Sequence, residues 1–376
     1  MAHRVVSYGD QTSLGWRKAR AGQRMLIGFQ GTTVNEDLRR VVKEIQPAGF
    51  VLFRRNVEEP LQVFELNREL RSLCRAENPA FIAVDQEGGR VQRIKTPATI
   101  WPPMRHVGAA KDITAEVSAA IAIELRAMGF NLNFAPVADV DSNPENPIIG
   151  DRAFGTNVSE VAEHLTAFIR AHQENGMIAC AKHFPGHGDT SVDSHLALPW
   201  VERDDAGLRS IELPPFQSAI KAGVATMMTS HVMYPSWDTE YPATLSKKIL
   251  HGILRQELRY SGVVFSDDLE MKAIAGRYSV EEQVCRMTEA SVDILLCCED
   301  HQLQLSVFRE QMLMQEKFPT LEQAAKDSER RIQHLRETHF VAHPETPQFQ
   351  RLGCSEYKAL AARATQRARD AGLTEP

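Results

Sequence analysis

The sequence predicts a single α/β (β/α)₈ barrel with extra C-terminal helices. Three observations point there: eight short apolar runs, amphipathic stretches between them, and titratable clusters directly after five successive runs. Short apolar runs bounded by turn residues read as buried strands. Strands alternating with helices imply right-handed βαβ units and a parallel sheet. The runs cover 25–29, 49–53, 81–84, 132–136, 178–182, 225–230, 262–266 and 292–297. The helical stretches cover 61–74, 113–128, 158–173, 205–222, 246–258 and 280–290. In 113–128 the apolar residues recur at the helical period and Gly129 supplies a C-cap. An open doubly wound sheet is the alternative, but no Gly-x-Gly-x-x-Gly follows the first run. Past Asp300, helices are expected near 302–315, 321–336 and 355–371. Too few residues remain there for a second core, so 1–340 reads as the catalytic barrel and 341–376 as a helical extension packed on it.

Composition narrows the function classes. A chain of 376 residues, 43% hydrophobic and 24% charged, has ample material for a large core. A net charge of −6 with scattered basic residues gives no footprint for nucleic acid. No apolar run reaches the ~18 residues of a membrane span. The stretch 1–10 has no apolar core, so no secretory signal is expected. The six cysteines (74, 180, 285, 297, 298, 354) follow no metal or disulfide spacing. Reduced thiols, a cytoplasmic location and a monomer are the expectation, with no membrane or nucleic-acid partner, no metal and no cofactor.

The densest chemistry is the loop Lys182-His183-Phe184-Pro185-Gly186-His187-Gly188-Asp189-Thr190-Ser191-Val192-Asp193-Ser194-His195. It follows a buried run and is broken by Pro-Gly and His-Gly, which marks an active-site loop on a rigid sheet. A solvated polar loop is the plain alternative. Metal binding is another, but His183, His187 and His195 lack the i, i+4 helical spacing. As a pair, Asp193 and His195 make a proton shuttle, the carboxylate supporting the imidazolium. The other clusters stand where the strands of such a barrel end, which is where its catalytic groups sit. They are Asp85-Gln86-Glu87-Gly88-Gly89-Arg90-Val91-Gln92-Arg93, then Asp139, Asp141 and Asn146 to Gly155, then Ser230-His231, then Ser266-Asp267-Asp268. Asp267 and Asp268 are equally a helix N-cap pair or a nucleophile with its brace. Asp85 with Arg93, Arg152, and Lys182 with His183 read equally as structural ion pairs or as the acceptors and donors of a sugar site. His187 and His231 read as loop or wall residues.

Taken in order, these motifs resemble glycoside hydrolase family 3, in its β-N-acetylhexosaminidase branch of the bacterial cell-wall recycling (NagZ-like) type. The resemblance runs from about residue 27 to about residue 297. It implies a (β/α)₈ barrel that hydrolyses terminal β-linked N-acetylglucosamine, with peptidoglycan-derived muropeptides as the substrates. It makes Asp267 the nucleophile, His195 the acid/base and Asp193 its partner. Asp85, Arg93, Arg152, Lys182 and His183 match positions that bind the small-molecule carbohydrate. The mechanism implied is retaining, through a glycosyl-enzyme, with Gly186 and Gly188 permitting the loop to close. Phosphorolysis by the same fold and a broader family 3 β-glycosidase are the alternatives. A non-catalytic sugar-binding protein would have lost the nucleophile or acid/base that stand here.

Overall fold

The computed structural model describes residues 13–110, 112–190 and 198–373. Eight parallel strands close into a barrel: β1 Met25–Ile27, β2 Gly49–Leu52, β3 Phe81–Val84, β4 Leu132–Asn133, β5 Ile178–Phe184, β6 Thr226–Thr229, β7 Val263–Asp268 and β8 Ile294–Cys297. Each strand pairs with its chain neighbours, and β1 closes on β8 with Met25 opposite Leu295 and Ile27 opposite Cys297. All eight lie on the runs expected from the sequence.

Alternation along the strands divides the core in two. Phe81 and Ala83 of β3, Ile178 and Cys180 of β5, and Val263 and Phe265 of β7 belong to a cluster that fills the barrel with Phe134 and Leu296. Their neighbours Ile82, Val84, Ala179, Ala181 and Val264 belong to the larger cluster shared with the surrounding helices. Both faces of a parallel sheet are therefore dry, and the strand sequences run continuously apolar. Phe134 and Phe265 meet edge to face at 5.4 Å inside the barrel, and burying each ring contributes about 1.5–3 kcal/mol.

The helices sit where amphipathic stretches are expected, with their caps. Asn157 accepts from Ser159 N and Glu160 N at the start of Val158–Glu174, and Asp300 accepts from Gln302 N and Leu303 N at the start of His301–Lys317. The stretch 205–222 differs from expectation. It breaks into Asp205–Gly207, a wide turn at Leu208–Glu212, and Leu213–Lys221. Pro214 and Pro215 have no N–H to give the preceding turn, so the α-helical ladder cannot run through. Two further helices precede the second strand, Ser13–Gln23 and Glu36–Ile45. The second had a signal: Leu38, Val41, Val42 and Ile45 are its buried face, and Asn35 caps it through Leu38 N at 2.8 Å. All six cysteines are free thiols. Among the described residues no helix is long and apolar enough to cross a membrane.

Candidate active site

Strand parity brings the charged residues together. Side chains alternate with period two, so Lys182 in β5 shares the inward face of Ile178 and Cys180. Past Phe265 a register shift interrupts the β7–β8 ladder, and Asp267 and Asp268 both stand at the mouth. Asp85, next after β3, continues the parity of Phe81 and Ala83. A register shift between Lys182 and Phe184 interrupts the β5–β6 ladder, and a break of that kind re-aims a side chain. It falls at His183.

A buried ion network fills one side of the mouth. The Lys182 ammonium contacts Asp85 Oδ1 at 2.8 Å and Glu87 Oε1 at 2.6 Å. Arg152 grips Glu87 with two parallel bonds, Nε to Oε2 and Nη2 to Oε1, both 2.9 Å. Arg93 reaches Asp85 Oδ2 at 3.6 Å and lies over the Phe53 ring, 5.8 Å from its centroid. Burial raises the proton affinity of the Glu87 carboxyl, but Arg152 and Lys182 reverse that and hold it well below the usual carboxylate range. Burial works against charge on Lys182 and Arg152 too. The facing carboxylates, Asp85 and Glu87 for the lysine and Glu87 for the arginine, keep both charged. Such a network is rigid, because losing one partner strands a buried charge.

Opposite it stands the start of the loop. Asp139, fully buried, accepts His183 Nδ1 at 2.8 Å and takes the backbone N–H of His183 and His187 on its other oxygen at 3.2 and 2.8 Å. This contact turns the Nδ1 edge of the His183 ring to Asp139 and leaves Nε2 on the opposite edge. His187 Nδ1 bonds the Thr190 hydroxyl at 2.8 Å. Burial, then His183 beside it, lowers its pKa to about 4, so the ring is neutral near pH 7. Asn146 ties this segment to the Ile148–Ile149 turn, donating to His187 O and Gly188 O and accepting from Ile148 N and Ile149 N.

On β7 the two aspartates part. Asp267 Oδ1 accepts the Asp268 N–H at 2.8 Å. Asp268 Oδ1 accepts Glu270 N at 3.2 Å and Cys298 N at 3.3 Å. Burial, then the Glu270 carboxylate, raises its pKa to about 7. Turns rather than a helix follow directly, so neither aspartate caps one. His231 is the wall residue expected, bonded to Thr244 Oγ1 and Asp268 O.

The two halves enclose a cavity of about 210 Å³, small beside the ~300–1,000 Å³ of drug-sized pockets. It is lined by Asp85, Glu87, Arg93, Arg152, Lys182, His183, Asp267 and Asp268, on an apolar floor that includes Val51, Phe134, Met228 and Leu296. Asp193 and His195 lie outside the described residues. His187, read as a loop or wall residue, stands in the loop and lines the cavity, its N–H anchored on Asp139. Glu87 and Asp139 were missed as site residues. Their signal was position: Glu87 stands two residues after Asp85, and Asp139 lies past the fourth apolar run. Among the described residues no cluster of His, Cys, Asp or Glu has the geometry to hold a metal ion.

An eight-stranded parallel barrel with paired carboxylates and cations at its mouth is the build of an enzyme acting on a small polar substrate. The chain belongs to glycosyl hydrolase family 3, whose N-terminal-domain model matches residues 18–335. It is a glycoside hydrolase of the β-hexosaminidase type. A β-hexosaminidase of Thiobacillus denitrificans is 38% identical over 287 residues, 74% of this chain and 79% of that protein. A family 3 β-N-acetylglucosaminidase of Paenibacillus sp. strain FPU-7 superposes with a TM-score of 0.86 at 37% identity, over 93% of this chain and 68% of the other. NagZ of Neisseria gonorrhoeae, solved with N-trifluoroacetyl-D-glucosamine, superposes with a TM-score of 0.75 at 31% identity, over 92% of this chain and 97% of the other.

Proposed function

We propose that the protein is a retaining β-N-acetylhexosaminidase that removes terminal β-linked N-acetylglucosamine, its natural substrates being peptidoglycan-derived fragments. Asp267 is the nucleophile, His195 the acid/base and Asp193 its partner. Asp85, Arg93, Arg152, Lys182 and His183 hold the sugar. The observation that carries this reading is the shared cavity: the β7 carboxylates Asp267 and Asp268 line it together with a pre-paired set of donors and acceptors. Support comes also from the N-acylated glucosamine bound by the gonococcal neighbour.

A sugar ring offers hydroxyls that both donate and accept, and the Asp85–Lys182–Glu87–Arg152 network offers carboxylate oxygens beside ammonium and guanidinium N–H groups. Asp267 then attacks C1, and the glycosidic C–O bond breaks as His195 gives its proton to the leaving oxygen. In the second step His195 takes a proton from water, whose oxygen bonds C1 and releases Asp267. Asp268 takes no part in this. Its Oδ1 is held by Glu270 N and Cys298 N.

The test is hydrolysis of an aryl β-N-acetylglucosaminide beside the matching β-glucoside. A site with groups placed for the acetamido function rejects the analogue lacking it, so kcat/KM should favour the amino sugar by about 10²-fold or more. Equal values would remove the hexosaminidase reading. Running the assay with and without phosphate distinguishes free N-acetylglucosamine from its 1-phosphate, which would mark phosphorolysis.

A further inference from the structure

Residues 349–370 lie beyond the stretch matched by the family model, yet they are wired to the active-site hairpin. That hairpin pairs Gln86–Gly88 with Val91–Gln92 and carries Glu87 between Asp85 and Arg93. It rests on the loop around Trp101. The Trp101 carbonyl accepts Gly89 N at 2.9 Å and Gln92 Nε2 at 3.0 Å, and Trp101 N donates to Gln92 Oε1 at 3.2 Å. The fit leaves no slack: a Cβ on Gly88 would stand 2.6 Å from Pro102 O, and one on Gly89 would stand 2.8 Å from Pro103 Cβ.

The Trp101 loop is held in turn by Glu124, a buried carboxylate on the helix Thr114–Ala127. Four donors converge on it. Oε1 accepts Thr99 N at 3.0 Å, Thr99 Oγ1 at 2.9 Å and Gly353 N at 2.7 Å, and Oε2 accepts Trp101 Nε1 at 3.1 Å. Gly353 belongs to the C-terminal segment and has φ +56°, and its Cβ would meet Pro97 O at 2.0 Å. Four residues on, the Tyr357 ring packs beside Trp101, centroids 6.2 Å apart. The helix Ser355–Asp370 then fastens its far end through Arg367 to Ala110 O at 2.8 Å.

We infer that Glu124 is a positioning residue that couples the docked C-terminal segment, through Trp101, to the hairpin bearing Glu87. The inference rests on the reading of the Glu87–Arg152–Lys182 network as the sugar-holding side of the site. Glu87 sets where the Arg152 fork and the Lys182 ammonium stand. A shift of the hairpin therefore moves both cations together. No substrate atom needs to touch Glu124 for its loss to be felt there.

The experiment uses the full chain, with kcat and KM on an aryl β-N-acetylglucosaminide and the thermal midpoint of each variant. Glu124→Gln replaces one acceptor oxygen with an NH₂ facing other donors. Trp101→Phe removes the indole N–H together with part of a buried ring, and Gly353→Ala pushes the clasp off from outside the barrel. Each should lower kcat/KM by about 10-fold, chiefly through KM, since misplacement of about 1 Å in a positioned site costs up to about 10²-fold. Arg363→Ala, on the outer face of the same helix and paired there with Glu116, should leave kcat/KM unchanged. The deciding measurement is the cycle with Glu87→Gln. In that background each clasp variant should add less than about 2-fold, because coupled sites are not additive. Losses that multiply in full, or a fall in thermal midpoint with kcat/KM intact, would make the segment a brace only and overturn the inference. Glu87→Gln with wild-type kcat/KM would instead overturn the reading of the site.

Discussion

Asp267 and Asp268 are chemically identical neighbours that both line the cavity, and their hydrogen bonds give them different lives. Asp267 Oδ1 accepts the Asp268 N–H. Asp268 Oδ1 accepts two backbone N–H groups, and burial and Glu270 push its pKa up to about 7. Asp267→Ala should lose about 10⁴-fold or more in kcat, the scale of removing a nucleophile, with the thermal midpoint kept. Asp268→Asn keeps an acceptor oxygen for Glu270 N and Cys298 N, so it should retain most turnover. Initial rates on an aryl glycoside check both. The reverse result would move the nucleophile by one residue. Strand parity separates Lys182, inward and buried against two carboxylates, from Ala181 beside it in the helix-facing core.

At the scale of elements, the loop after β5 is held by its glycines in a way residue type alone misreads. Gly186 and Gly188 read as permitting movement. In the structure they also permit contact: a Cβ on Gly188 would stand 1.6 Å from Val140 O, and one on Gly186, at φ +142°, would stand 2.2 Å from Glu212 Oε2. Gly188→Ala must therefore push the loop off the segment that carries Asp139, whose oxygens anchor His183 and His187. We expect a loss of roughly 1–3 kcal/mol of stability, the usual cost of overpacking, and a fall in kcat/KM beyond it. Gly252 in the wide helix Lys248–Glu257 is the counter-case, its nearest neighbour to a Cβ being Lys247 O at 3.9 Å. Gly252→Ala should stabilise by roughly 0.5–1 kcal/mol through the unfolded chain's lost freedom. Denaturant titration of the two variants should give shifts of opposite sign.

For the whole molecule, pH acts through a carboxyl that the fold leaves without a hydrogen-bond donor. Glu212 stands at the end of the wide turn before Pro214 and Pro215, fully buried, with neither oxygen hydrogen-bonded. Burial first, then Asp139, raise its pKa to about 8, against the pull of Arg203 at 3.5 Å; Asp189 adds to the rise. The folded state then holds a proton that the unfolded chain releases near the ordinary carboxyl value of 4.5. Stability tied to Glu212 is present at acid pH and is lost as pH rises from about 4.5 to about 8. Glu212→Gln removes that dependence. The midpoint of the variant minus that of the wild type should become more positive between pH 5 and pH 8.5. Two parallel curves would refute this account.

The sequence alone determined the eight strands, because continuous apolar runs between amphipathic stretches have few other ways to be buried. It also marked where the chemistry gathers, because titratable residues are costly beside buried strands unless they are used or paired. Tertiary structure decided the rest. Two adjacent aspartates that both line the cavity are told apart by the hydrogen bonds that Glu270 N and Cys298 N make to Asp268, and the second of these comes from 30 residues on. Glu87 and Asp139 stood in plain view within their motifs, yet their roles needed partners 65 and 44 residues away, Arg152 and His183. The C-terminal helix was legible as a helix from its Ala/Arg pattern. Its tie to the active-site hairpin rests on hydrogen bonds spanning 229 residues, from Gly353 to Glu124, and no local pattern encodes contacts across that distance.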